Sequence, residues 1–407
     1  MTSGLKFCAF LVIFSSIASI TKGEPSTYSD PEDISKVLVV AGWSNDNNAP
    51  PEVIDLVNAS NSCRLAKFPA TLTWAVGEYS SVDGTIICGG WNPDTYTDLA
   101  DCYLMDANSS EFTNYTQLST QRSFASSVML QNGSLLVLGG RNEDFALKST
   151  ELVSESGVQA SIDLPTPLYG HCTAKINDTM ALIAGGFNGI SLMSSTYFLD
   201  LVTLSITEGP PLSEARRRHG CTVFKHNGMW LVIVAGGSYP YLKTVELLNL
   251  DSDVLSWISG EPLPSTMDDV PLIATSIGVL AFGGFNPLSR NPYTSNILKL
   301  NLDNPFNPRW ESWQHTSLSI GQSASLVIPI PDSFAICDSL TIDQLFEQEG
   351  DEVDVEEDQT IIESNQTLAT DDCSYCPKCA RALSADTEHV GGFSRPVPID
   401  EVMSNHA

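Results

Sequence analysis

The residues best equipped for chemistry are cysteines and histidines, and their spacing limits what that chemistry can be. Near the C-terminus Cys373, Cys376 and Cys379 form a C-x-x-C-x-x-C run, followed by His389. Structural zinc takes four thiolate or imidazole ligands, and its strong signal is a pair of C-x-x-C elements, of which one and a half are present. The run therefore reads as thiols for disulfide formation, including linkage to a partner molecule, and no metal or other cofactor is expected. His171 and His219 occupy matching places in an internal repeat, which repetition explains better than metal ligation. No G-x-S-x-G nucleophile elbow, Walker-type phosphate loop or Asp-box turn occurs. The remaining concentration of chemistry is the run Arg216-Arg217-Arg218-His219, a cationic patch in a chain of net charge −29.

That charge makes nucleic acid or anionic lipid an improbable partner, since both are repelled. Residues 1–23 carry Lys6, an apolar stretch from Phe7 to Ile20 and a small-residue end, the pattern of a signal peptide. The stretch is short for a transmembrane helix, so a secreted, extracellular protein without membrane insertion is expected. Cys8 leaves with the leader, and the nine remaining cysteines imply at least one thiol that is free or bonded to another molecule.

These residues need a scaffold, and the chain repeats. Apolar runs ending in a glycine pair or near-pair occur at Val37–Gly42, Thr85–Gly90, Leu135–Gly140, Met180–Gly186, Met229–Gly237 and Val279–Gly284, spaced by 46 to 51 residues. A polar loop and a second apolar strand follow each, as in Thr150–Val153 or Thr244–Leu250, and then a third strand such as Ser256–Glu261. A fourth, such as Gly220–Phe224, precedes the next glycine pair. Each repeat thus predicts four short antiparallel strands, a to d, with the glycines ending strand b, where a Cβ would clash beside a crowded axis. An unbroken apolar strand b fits burial on both faces.

The repeat of Arg218-His219-Gly220-Cys221, Met229–Gly237, Thr244-Val245-Glu246-Leu247 and Trp257 before Pro262 resembles the kelch repeat family. The resemblance covers about Val37 to Ile336, with Ala41 in place of one first glycine and the late Trp missing from several repeats. It implies an all-β, six-bladed kelch-type β-propeller, here over residues 24–337. No strand a precedes the first glycine pair. Ser323–Ile330 resembles the missing strand and is expected to complete the first blade, removing exposed sheet edges; the alternative is a partial seventh blade starting at Phe334–Cys337. Residues 338–407 change character: from Asp338 to Asp358 there are ten carboxylates and no Lys or Arg. A disordered acidic C-terminal tail is expected, serving solubility, with a weak Ca²⁺ or cationic contact as the sharper reading.

Six glycosylation sequons lie at Asn58, Asn108, Asn114, Asn132, Asn177 and Asn365. The first five fall at the end of the blades holding the a–b and c–d turns, so glycans would crowd one face and leave the b–c and d–a loop face bare. That bare face is the expected binding surface. Its b–c loops hold Trp43, Trp91, Arg141, Phe187, Tyr239, Tyr241, Phe285 and Arg290. Its d–a loops add Arg122, Arg216, Arg217, Arg218 and His219, residue types that anchor interfaces. An aromatic just after a glycine pair has a second reading, as packing for its own loop.

Across the hairpin centred near Asp94, Cys88 and Cys102 face one another and are expected to form a disulfide. Cys172 and Cys221, at matching places in adjacent repeats, read as buried small residues, and Cys63 and Cys337 find no partner. Two functions follow: a non-catalytic extracellular scaffold that binds a protein or a glycan through the bare face, or a carbohydrate-active enzyme with a pocket at the channel mouth. Kelch propellers include copper-radical sugar oxidases and a sugar-acid epimerase, which keeps the second class open.

Overall fold

The computed structural model of the protein describes residues 34–45, 49–65, 68–106, 111–302, 308–332 and 337. The leader 1–23, the tail 338–407 with Cys373, Cys376, Cys379 and His389, and the sequons at Asn108 and Asn365 lie outside the described residues.

Six four-stranded antiparallel sheets follow one another as blades. Blade two runs Val76–Ser80, Gly84–Cys88, Asp101–Met105, Phe112–Gln117, and blade three Ser126–Met129, Leu135–Leu138, Thr150–Ser154, Gly157–Ala160. Blade four is Cys172–Asn177, Met180–Ala184, Thr196–Asp200, Ile206–Glu208, and blade five Gly220–His226, Met229–Ala235, Val245–Asn249, Trp257–Ser259. Blade six is Leu272–Thr275, Gly278–Phe282, Ile297–Asn301, Arg309–Ser312. In each, the order a to d runs from the inner strand outward. The protein is an all-β six-bladed propeller.

Blade one is assembled from both ends of the propeller. Its strands b, c and d are Lys36–Val40, Glu52–Asp55 and Cys63–Arg64, while its strand a is Leu326–Ile330. The register is Lys36 opposite Ile330 through Val40 opposite Leu326, so the expected closure strand is in place. Its first three expected residues differ: Ser323, with Gln322, pairs instead with Trp43–Ser44, and Ala324 and Ser325 lie between the two strands. Cys337 then bonds to Cys63 of the same blade, where a seventh blade would have had to begin.

The unbroken apolar b strands are explained by where their two faces go. Val37 and Val39 pack with Ile273, Leu280 and Phe282 of blade six, whereas Leu38 and Val40 pack with Ile87, Tyr103 and Met105 of blade two. The same division recurs around the ring, giving six apolar cores, one between each pair of neighbouring blades. A strand buried on both faces has no polar side to alternate with.

The glycine pairs do what their spacing suggests. A Cβ on Gly89 would lie 2.5 Å from the Arg122 carbonyl oxygen, and the Gly90 amide donates to that oxygen at 2.8 Å. In blades two to six strand b is thereby hooked to the loop entering the next blade, with no room for a side chain at the first glycine, whereas blade one carries Ala41 there in the same left-handed conformation (φ 59°).

The six a strands touch one another in a ring and form the inner wall. Two of them, in blades four and five, are joined by Cys172–Cys221, with 6.0 Å between Cα atoms. These cysteines are therefore not free buried thiols, because inner strands converge at the axis. Cys88–Cys102 bridges directly opposed positions as expected, at 4.1 Å.

Glu78 is half-buried on the inner wall of blade two, and desolvation there pushes its carboxyl up to about 7 against a weaker pull from Lys175 of blade four. A raised acid binds its proton more tightly folded than unfolded, so this group's contribution to stability falls as pH rises from about 4.5 to about 7. Glu78→Gln should flatten that part of the melting temperature against pH curve. A curve as steep as the parent's would assign the slope to other groups.

Candidate functional site

The d–a and b–c loops meet at one end of the ring through a device repeated in every blade. The residue after each glycine pair bridges to the middle residue of a d–a triplet: Trp91 to Thr73, Arg141 to Ser123, Phe187 to Tyr169, Ser238 to Arg217 and Phe285 to Asp268. Trp43 pairs likewise with Ser323. The third residue of every triplet is left-handed: Trp74 (φ 52°), Phe124 (φ 52°), Gly170 (φ 62°), Arg218 (φ 57°), Asp269 (φ 49°) and Ala324 (φ 56°). Only one is glycine, so five side chains sit in a conformation that L-residues rarely adopt.

A main-chain belt holds them there. The amides of Phe124, Gly170, Arg218, Asp269 and Ala324 each donate to the carbonyl of the corresponding residue one blade earlier, at 2.6 to 3.4 Å. The belt carries Trp74, Phe124, Arg218 and Asp269 to the centre of this face. Trp74 and Phe124 stack at 4.3 Å, the Trp74 indole donates to Asp269 Oδ2 at 3.0 Å, and Arg218 pairs with Asp268 and Asp269 while lying over both rings. Four blades thus build one polar and aromatic cluster.

The first residue of each triplet points the other way, into the protein. Arg122 and Arg216 are buried: their guanidiniums donate to the Gly139 and Gly236 carbonyls at 2.7 and 2.9 Å and pair with Glu151 and Glu246 of strand c. Those glutamates also accept main-chain amides, Ser119 at 2.6 Å and Ser213 at 2.7 Å. In blade one Gln322 and Glu52 take the two places. Glu52 is raised chiefly by burial, against the lowering pull of its Ser319 amide bonds and of Arg64 on the neighbouring strand. Blades two, four and six carry Leu72, Leu168 and Met267 instead, so the ring alternates between polar and apolar clasps.

Several residues expected at the surface are thereby corrected to structural roles. Arg122 and Arg216 clasp neighbouring blades. Arg141 is buried against Asp98 at 3.3 Å. Trp91 is buried among Trp43, Trp74 and Tyr96. His219 is buried behind the Gly185–Gly186 turn, and His171 behind Gly139–Gly140. Burial holds both imidazoles neutral, His171 at about 4 and His219 well below its ordinary value, where Arg216 and His171 add to the effect.

The others form a girdle around the mouth. Tyr239, Tyr241, Phe285 and Tyr293 follow one another with centroid separations of 5.8, 6.5 and 5.3 Å. Tyr293 is hydrogen-bonded to Trp43, and the line continues through Trp91, Trp74, Phe124, Tyr169 and Phe187. Arg217 closes it, lying over Phe187, Tyr169 and Tyr239 at 5.3, 5.6 and 4.6 Å and donating to the Tyr169 hydroxyl at 3.0 Å. Such contacts rigidify the loops as well as face solvent.

At the loop tips, beside Tyr239 of the girdle, lie four residues that the sequence reasoning missed: Tyr96, Phe145, Ile190 and Leu288. The b–c loop tips of blades two to six each expose a large apolar side chain: Tyr96 (77%), Phe145 (71%), Ile190 (89%), Tyr239 (39%) and Leu288 (82%). Asn92, Asn188 and Asn286, next to the post-glycine residue, accept amides at the tips and fix three of the loops as Asx turns. That repeated asparagine was the available signal. Arg290 is also exposed, on the blade-six loop. The opposite end exposes Val57, Val82, Val202 and Val254, and Met229 at the a–b turn of blade five.

Four sequons fall at that opposite end. Asn58, Asn114 and Asn132 are exposed and Asn177 half-buried, on blades one, two, three and four. Among the described residues no helix is long and apolar enough to cross a membrane, and no group of three or more His, Cys, Asp or Glu could hold a metal ion.

No protein-family model matches the chain. Over 205 residues, 50% of this chain, it is 24% identical to the spermatocyte protein spe-26 of Caenorhabditis elegans, and the match spans only 34% of that protein. The solved structure of YjhT aligns with a TM-score of 0.55 at 12% identity, covering 69% of this chain and 95% of that one. The second likeness shows the propeller fold alone.

Proposed function

We propose that the protein is a kelch-type propeller, secreted and glycosylated on blades one to four, that works without catalysis by holding an extracellular protein on its b–c and d–a loop face. The observation that carries this reading is the set of five apolar tips, one on each of five b–c loops, standing around a rigid aromatic girdle at the end away from the described sequons. Exposed apolar groups spaced around a rim suit a broad partner surface, with a few anchors supplying most of the energy. Three disulfides and an apolar leader support an oxidising, extracellular setting.

A second reading is a glycan ligand or a carbohydrate-active site at the mouth, favoured by Trp74, Phe124, Arg218 and Asp269 meeting there. These groups bond mainly to each other, which favours a structural plug over a reacting centre.

The triple variant Phe145→Ser, Ile190→Ser, Leu288→Ser tests the protein-binding reading. Its melting temperature should stay near the parent's, because the tips are exposed. Its affinity for a partner purified with the native protein should fall by roughly two orders of magnitude, at about 1 kcal/mol for each anchor. Unchanged affinity would move the partner elsewhere.

A further inference from the structure

The five exposed tips differ in the charges around them, and the difference follows the ring. In blade two Tyr96 stands near Asp94, and in blade three Phe145 follows Glu143 and Asp144, all exposed. The blade-four loop carries no charged residue around Ile190, at 89% the most exposed large apolar side chain among the described residues. Blade five places an exposed Lys243 after Tyr239 and Tyr241, and blade six an exposed Arg290 after Leu288.

The other ions of these loops are neutralised where they stand: Asp98 by Arg141 at 3.3 Å, and Lys148 by Asp163 at 2.9 Å. On the adjoining d–a loops Glu214 is held by Arg216 at 3.6 Å and by the Thr244 hydroxyl at 2.6 Å, and Glu261 is half-buried. The tip of blade one, residues 46–48, lies outside the described residues. From blade two to blade six the b–c loops therefore run negative, negative, neutral, positive, positive.

That order is antisymmetric about blade four, and a two-fold axis lying across the face through blades four and one turns it into complementarity. A second copy laid face to face about this axis opposes blade three to blade five, blade two to blade six, and blade four to itself. Each acidic loop then meets a basic one. Phe145 meets Tyr239, Tyr96 meets Leu288, and Ile190 meets its own image on the axis.

We propose that the loop face pairs with the loop face of a second copy of this chain, in a two-fold dimer that carries the described sequons on its two outer ends. This rests on the loop-face reading above and names its partner. A two-fold interface requires a self-complementary patch, which the sign order supplies. Opposed charges fix the orientation, and the apolar tips supply the contact.

Sedimentation equilibrium of the whole, glycosylated protein across the micromolar range tests this. The parent should form a dimer that weakens as salt is raised. Asp94→Lys with Glu143→Lys and Asp144→Lys makes the charged loops positive throughout, and Lys243→Glu with Arg290→Glu makes them negative throughout. Each variant alone should dimerise at least about ten-fold more weakly than the parent, and an equal mixture should recover a dimer of one copy of each. Both should melt near the parent's temperature, because every changed side chain is exposed. A monomeric parent, variants that dimerise as the parent does, or a mixture that fails to pair would overturn the proposal. A monomeric parent that loses a different, co-purified partner with Phe145→Ser, Ile190→Ser and Leu288→Ser would overturn self-pairing and leave the loop-face reading standing. A dimer indifferent to both reversals and to the tip changes would overturn both.

Discussion

Replacing Arg216 with alanine should destabilise the propeller by about 3–5 kcal/mol, because it strands Glu246 as a buried unpaired carboxylate and frees the Gly236 and Thr244 carbonyls. The Arg216 side chain is wholly buried and Glu246 is 5% exposed, so water can replace little of what is lost. The neighbouring Arg217→Ala should cost much less, since that side chain stacks on three rings at a half-exposed mouth. The chain also contains the remedy. At the equivalent places blade four uses Leu168 and Tyr197, an apolar clasp. Arg216→Leu combined with Glu246→Leu should therefore lose less than the sum of the single changes, a coupling visible in a double-mutant cycle of urea unfolding. Additive losses would mean that the pair does not act as a unit.

Breaking Cys63–Cys337 should cost about 2–5 kcal/mol, since it closes a loop of sequence separation 274 and so restrains the unfolded chain strongly. Its local effect should be as informative as its size. Strand Leu326–Ile330 is held in blade one by pairing with Lys36–Val40 and by this bond just beyond it. With Cys63→Ser and Cys337→Ser, amide exchange should rise first in those two strands while blades three and four keep their protection. Removing Cys88–Cys102 closes a separation of only 14 and should cost less. A uniform rise in exchange around the ring would argue that blade one is no weaker than the others once the bond is gone.

The fold was legible because its determinants are local and repeated. Glycine pairs, apolar b strands and a leftover strand after the sixth repeat together specify a closed six-blade ring. The disulfides were legible only within one hairpin. Cys88 and Cys102 face each other through a turn that can be counted, whereas Cys172 and Cys221 meet only because inner strands of adjacent blades converge. Cys63 and Cys337 needed the ring to close before they could meet.

The loop face was legible as a face, but several residues assigned to its surface are buried in it. Arg216, Arg217 and Arg218 are consecutive, yet one clasps a blade interface, one completes the girdle and one reaches the centre. Residue type carries no information about which way a d–a triplet points. A partial signal existed in Glu52, Glu151 and Glu246, which recur at the same place in alternate blades and mark Arg122 and Arg216 as buried partners. Of the exposed tips only Tyr239 was legible; Tyr96, Phe145, Ile190 and Leu288 lie a few residues beyond the position directly after each glycine pair, where the repeat's aromatics cluster and pack inward.

The most direct test of the loop-face claim is amide exchange on the native protein with and without its co-purified protein partner. New protection is expected in the b–c loops around Tyr96, Phe145, Ile190, Tyr239 and Leu288. Protection confined to the a–b and c–d turns, around Val82, Asn132 and Val202, would contradict it.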